Sequence, residues 1–169
     1  MKKRLLLLLL LWTYISSAQN AAYNIGSDDS SFVQTLVEDG LIEIQLGKIA
    51  QTKATSIYVK MNGEDMIHDN LKAIEQLKII AQKRNISLPT EMSNDKQKKY
   101  NELTNLNGKE FDRQYSEWMV QLHRKGLSLF KKELKKGKDN ELKAWVSEEL
   151  RTFENHLTMW QESCYVIKQ

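Results

Sequence analysis

Apolar residues recur at helical spacing along nearly the whole chain after residue 28. Phe32, Val33, Leu36, Gly40, Ile44 and Gly47 share one face and predict a first helix over Asp29 to Thr52, with Asp28, Asp29 and Ser30 offering N-cap chemistry. Gly40 and Gly47 sit seven apart on that face and predict close approach of a neighbouring helix, since glycine otherwise only weakens a helix. Ser56 is the expected cap of a second helix, whose inner face is Val59, Gly63, Met66, Ile67, Asn70, Ile74, Leu77 and Ala81. That helix ends near Asn85, before the break at Ser87, Leu88 and Pro89.

Thr90 to Asn107 predicts a short helix around Tyr100, Leu103 and Leu106, closed by Gly108. Another long helix follows from Lys109 to Lys136, lined by Phe111, Tyr115, Trp118, Met119, Leu122, Gly126, Leu129 and Phe130, with Gly137 as its stop. Asp139 or Asn140 caps the last helix, whose stripe is Leu142, Trp145, Val146, Leu150, Phe153, Leu157 and Trp160 and continues to Cys164. No strand-like alternation and no solenoid repeat is present. Four long amphipathic helices with short connections predict an all-α, antiparallel up-down four-helix bundle over residues 29–165, with one short extra helix in the longest connection.

The first residues break the pattern. Lys2, Lys3 and Arg4 precede the unbroken run Leu5 to Leu11, and Ser16 and Ala18 supply small residues at a cleavage site. Residues 1–18 read as a secretory signal peptide cut after Ala18, and residues 19–28 as a flexible lead-in. The apolar run is too short for a spanning helix, which needs about 20 residues. The expected address is the periplasm or beyond, with no integral membrane segment after cleavage.

Export changes the charge. The whole chain carries +3, from 25 basic and 22 acidic residues, but the leader holds three basic residues and no acidic one, so the remainder is neutral. A nucleic-acid partner is thereby disfavoured. Cys164 is the single cysteine, so no internal disulfide can form and no lipid-bearing cysteine stands at the cut; a link between chains, and hence an oligomer, stays open.

Candidate chemistry lies in the polar residues that fall on apolar faces. Glu43, Asn70, His123, Glu149 and His156 all lie in or near those arcs, and their heights along the four helices spread over only about 10 Å. Two readings stand side by side: a buried hydrogen-bond network in which the histidines pair with Glu43 or Glu149, and a carboxylate–histidine site for a transition metal ion. The Glu-x-x-His pattern of di-iron bundles is absent; Asp65 and His68 have the spacing, but His68 points away from the inner face. No catalytic constellation, phosphate loop or CxxC occurs, and no cofactor is implied. The lysines from Lys131 to Lys138 read as a solvated helix end.

Several segments together resemble one bacterial envelope family, the domain of unknown function 4142. They are Phe32 to Ala50, Met66 to Asn70, Leu88 to Thr90, Phe111 to Tyr115, Met119 to His123 and Glu154 to Met159. The resemblance covers Ser31 to Gln161 and implies a ferritin-like four-helix bundle in a family often labelled as outer-membrane proteins. Such members carry Asp-His in the second helix, Asp-His again in the third long helix, and a histidine in the last. Here the first pair falls on Asp69 and Asn70, the second on Leu122 and His123, and the last histidine on His156. The resemblance adds Asp69 to a metal set of Glu43, His123 and His156, while two lost positions weigh against that site. It brings no established activity. The expectation is a non-catalytic binding or structural module with an envelope partner, against a metal-binding alternative.

Overall fold

The structure is a computed structural model that describes residues 27–169. The predicted leader, its cleavage point at Ala18 and the lead-in up to Gly26 lie outside the described residues. The described residues form five helices and no strand: α1 (Ser27–Lys53), α2 (Ile57–Arg84), α3 (Asn94–Thr104), α4 (Gly108–Lys136) and α5 (Asn140–Ile167). The hydrophobic periodicity thus located every element, with ends moved by a few residues.

α1 packs chiefly on α2 and α4 chiefly on α5, and each pair touches the other through α1–α4 and α2–α5. The α1–α2 contact is close because two glycines face each other: a Cβ at Gly47 would lie 2.3 Å from the carbonyl oxygen of Gly63. Gly40 serves a different end, since its bare Cα makes room for the side chains of Asn70 and Ile74.

Burial divides the interior into two apolar cores. One gathers Ile42, Leu46, Met66, Phe111, Tyr115 and Trp160 toward the α1–α2 turn, with α3 packed on α1 and α4. The other gathers Phe32, Val37, Leu77, Phe130, Leu142 and Val146 at the opposite end. Along each long helix the sequence passes from one core to the other across a polar residue: Glu43 on α1, Asn70 on α2, His123 on α4 and His156 on α5.

Long-range polar contacts, rather than local caps, tie the helix ends. Ser56 stands at the N-cap of α2 but its hydroxyl makes no capping bond. Instead the buried Asp112 of α4 accepts from the Ser56 amide at 2.9 Å, the Thr55 hydroxyl at 2.6 Å and the Thr55 amide at 3.2 Å. Asp29, expected to cap its own helix, accepts from the amides of Lys138 and Asp139 at 3.0 and 2.9 Å, at the α4–α5 turn. Asp139 is the true cap of α5, accepting from the Leu142 amide at 2.8 Å while also holding Arg84 from the end of α2 at 2.7 Å.

Gly108 differs from its expected role, whereas Gly137 ends α4 as expected but without a left-handed φ. Gly108 opens α4 with φ +61° rather than closing the short helix, which ends at Thr104. Gly137 has an ordinary φ of −57°; its missing Cβ leaves space that the Glu133 carboxylate fills. Because one carboxylate holds the α1–α2 turn against α4, Asp112→Ala should cost about 2 kcal/mol in urea unfolding, in line with bonds to a charged acceptor. Thr55→Val, which removes one donor of several, should cost well under half of that.

Candidate functional site

The polar layer between the two cores is the candidate site. Glu43 is 3% exposed and His123 fully buried. Asn70 donates to Glu43 Oε2 at 2.8 Å and to the Met66 carbonyl at 2.9 Å. His123 Nε2 lies 4.0 Å from Glu43 Oε2, beyond hydrogen-bond range, and has no partner. Its other nitrogen, Nδ1, lies 3.0 Å from the Met119 carbonyl oxygen. A carbonyl only accepts, so Nδ1 carries the proton and the Nε2 lone pair faces Glu43.

His156 completes the layer from α5. Its ring stands edge-on to that of His123, with centroids 5.6 Å apart, and its Nε2 lies 2.9 Å from Asp69 Oδ2. Phe153 covers the His123 ring at 4.7 Å and stacks on Phe130 at 4.7 Å. Gly126 allows this, because a Cβ there would strike the Phe153 ring at 2.5 Å.

Burial sets the electrostatics. Desolvation raises the Glu43 carboxyl to about 7 despite the Asn70 hydrogen bond, which favours its charge. Burial depresses His123 to about 4, so it is neutral at physiological pH. Tyr115, whose hydroxyl is buried without a partner, is pushed well up by burial and by the Glu43 charge. Asp39, one turn before Glu43, is raised by burial although Lys96 of α3 meets it at 2.6 Å. The layer therefore contains a carboxyl near its titration point and a neutral imidazole, with Lys96 engaged by Asp39 and by Glu38 at 3.0 Å.

A cavity of about 50 Å³ opens onto this layer between α1, α2 and α5. Its polar wall is Asp39, Glu43, Asp69, Asn70, Glu149 and His156; its apolar wall includes Leu36, Ile74, Leu77, Phe130, Trp145 and Phe153. A wider groove of about 480 Å³ lies at the other end, between Tyr58 and Asn62 of α2 and Met159, Tyr165 and Val166 of α5.

The structure brings the sequence-derived residues together unequally. Glu43, Asn70 and His123 converge, with His156 beside them. The histidine partners differ from those expected: His156 pairs with Asp69 and His123 with a backbone carbonyl, rather than either with Glu43 or Glu149. Glu149 is half-buried on the cavity wall. His68 points outward, its side chain 83% exposed. The apolar periodicity marks Tyr115 only as a lining position of α4 and does not mark Asp39. Asp39 stands four residues before Glu43, and Tyr115 eight before His123, so each shares a helix face with a residue that the pattern does mark. The four proposed metal ligands divide into the Glu43–His123 and Asp69–His156 pairs. Among the described residues, no group of three or more His, Cys, Asp or Glu converges to hold a metal ion.

The family model described as "Domain of unknown function (DUF4142)" matches residues 15–162. No curated protein sequence matches the chain. Among solved structures, a DUF305 fragment from Deinococcus radiodurans is similar at 11% identity, covering 83% of this chain and 97% of that one, with a TM-score of 0.72. CopM in its Cu(I)-bound form is similar at 16% identity, 79% and 93% coverage and a TM-score of 0.66. CopM in an Ag-bound form obtained by co-crystallization is similar at 18% identity, with the same coverage and a TM-score of 0.64. At such identities the likeness shows a shared helical fold. Among the described residues no helix is long and apolar enough to cross a membrane.

Proposed function

The chain belongs to the DUF4142 family, and from that premise we propose that it is an exported, non-catalytic binding module of the bacterial envelope. Its four long helices are read as an antiparallel, ferritin-like bundle, and its leader as a signal peptide cut after Ala18. The observation that carries the binding reading is the polar layer itself. A small cavity opens onto a buried carboxylate whose surroundings leave a histidine nitrogen and a tyrosine hydroxyl unsatisfied. Buried polar groups are ordinarily paired, and a buried carboxylate on a cavity wall with so few partners points to an occupant.

The test is a nuclear magnetic resonance titration of the protein purified without an affinity tag, against a panel of small cations, anions and neutral alcohols. The expected result is a saturable shift of the Trp145 indole and His156 ring signals by one class of probe. A panel that moves neither signal would overturn the reading.

A second reading makes the layer a metal site using Glu43, Asp69, His123 and His156. One observation favours it: His123 gives its Nδ1 proton to a carbonyl and presents a bare Nε2 lone pair toward Glu43, the tautomer that metal-bound histidines adopt. CopM, similar in fold, is described in Cu(I)- and Ag-bound forms. The donor set as placed is incomplete, since no three donors converge. Metal analysis after exposure to copper, silver, zinc, iron and manganese decides it. One bound equivalent that falls at least tenfold in affinity in His123→Phe supports the site, and no bound metal ends it.

A further inference from the structure

The cavity's lining is chemically one-sided. Four carboxylates face it, Asp39, Glu43, Asp69 and Glu149, and neither a lysine nor an arginine lines it. Asp39 has its cation in Lys96, and Asp69 Oδ2 has the His156 ring nitrogen at 2.9 Å. Glu43 is met at one oxygen, Oε2, by the neutral Asn70 amide at 2.8 Å and the neutral His123 ring at 4.0 Å. The Nε2 of His123, fully buried and without a hydrogen-bond partner, lies 4.0 Å from the same carboxylate and offers it no proton. A buried carboxylate without a counter-charge is costly, and a cation delivered through the cavity removes that cost.

The opposite wall limits what that cation can be. Ile74, Leu77, Phe130, Trp145 and Phe153 offer apolar carbon, which suits methylenes. A compact metal ion would instead need three or more donors at one point, which this wall does not supply. Counted at about 10–15 Å³ per water-sized centre, the cavity holds roughly three to five such centres, enough for an ammonium and a two- to four-carbon stem.

We propose that this cavity binds the protonated end of a short aliphatic amine, with its ammonium against Glu43 and Asp69 and its methylenes against Ile74, Leu77 and Phe153. The proposal rests on the binding-module reading and gives it a ligand class. The groups facing Glu43 are Asp39 on α1, Asp69 and Asn70 on α2, Tyr115 and His123 on α4, and His156 on α5, with Lys96 of α3 beyond Asp39.

The experiment titrates the tag-free protein with butylammonium, n-butanol and butyrate, using calorimetry for affinity and the Trp145 indole resonance for location. Butylammonium is expected to saturate at one equivalent, and n-butanol, of the same shape without the charge, to bind at least tenfold more weakly. Glu43→Gln should reduce amine affinity at least tenfold and leave that of n-butanol unchanged; its unfolding curve reports whether it is folded. Should it fail to fold, the amine-to-alcohol ratio in the unsubstituted protein still decides. Equal affinity for amine and alcohol, or full amine affinity in Glu43→Gln, overturns the proposal. If n-butanol or butyrate moves the Trp145 signal and the amine does not, the ligand class alone fails. If no probe moves it, the amine proposal and the binding-module reading fail together.

Discussion

Glu43→Gln should stabilise the protein at pH 8 by about 3 kcal/mol and leave it nearly unchanged at pH 4.5. The sign follows from burial. In the unfolded chain the carboxyl ionises near 4.5, and in the fold near 7. Between those values the unfolded state has released a proton that the folded state keeps, so stability is fully present below 4.5 and is lost as pH rises through 7. Glutamine carries no such loss and keeps an oxygen for the Asn70 amide. His123 works in the opposite sense. Its folded value is depressed from 6.5 to about 4, so its contribution is present above 6.5 and lost as pH falls through about 4. Between 4.5 and 6.5 the two groups oppose each other in the natural chain. In the variant the Glu43 dependence is gone, and over that range His123 is opposed by Glu133, whose carboxyl burial also raises to about 7. Urea unfolding at pH 4.5, 6.5 and 8 measures the gap between the two proteins. A gap that stays constant with pH would remove Glu43 as the titrating group. The same substitution is expected to weaken amine binding, so stability and ligand affinity would move in opposite directions, as they do where a site retains a strained charge.

Gly47→Ala should destabilise by about 3 kcal/mol, although alanine is the better helix former by about 1 kcal/mol. The reason is the identity of the obstacle. The new Cβ would meet the Gly63 carbonyl oxygen at 2.3 Å and Ile67 Cγ1 at 2.9 Å. The isoleucine can rotate, but a backbone oxygen inside α2 cannot move unless the helices part. Parting them would open the core around Leu46, Ala50 and Met66. The midpoint of thermal unfolding should fall by roughly 6 to 12 °C for a domain of this size. Gly63→Ala is the control: its Cβ would meet the Ala50 Cβ at 3.2 Å and the Gly47 Cα at 3.4 Å, distances that a small shift relieves. Its cost should be about 1 kcal/mol or less. Equal losses at the two positions would show that helix separation does not set the penalty.

The candidate site is partly legible in the sequence. Periodicity places Glu43, Asn70, His123 and His156 on inward faces, and counting residues from the turns puts them at one height. Both inferences need only the pitch of a helix, and the four residues do form one layer between the two cores. Their partners are not legible. His156 reaches Asp69, on the flank of the α2 stripe, because α5 covers that flank. His123 turns its proton to the Met119 carbonyl one turn back, a local bond that follows from a rotamer and leaves no pattern in the sequence. Tyr115 reads as another apolar position because its ring is apolar, and its hydroxyl matters only because Glu43 and the buried surroundings enclose it.

The caps show the same division. Helix-end chemistry is visible as Asp29, Ser56 and Asp139, but Asp139 alone among them caps its own helix. Asp29 binds the α4–α5 turn and Asp112 the α1–α2 turn, both across more than fifty residues of chain. An aspartate in sequence shows that a carboxylate is present; the folded arrangement decides which amides it receives.

The sequence by itself determined the five helices, their inward faces, the need for a close contact at Gly47, and that Glu43, His123 and His156 would be buried. Each follows from local periodicity and side-chain chemistry, which the chain carries wherever it goes. Only the tertiary structure decided that Gly63 is what Gly47 meets, that the apolar interior splits into two cores about a polar layer, and that a small, carboxylate-lined cavity opens onto it. Those depend on the rotation and relative height of helices far apart in the chain, and in this interior such displacements decide whether a carboxylate finds a partner or waits for one.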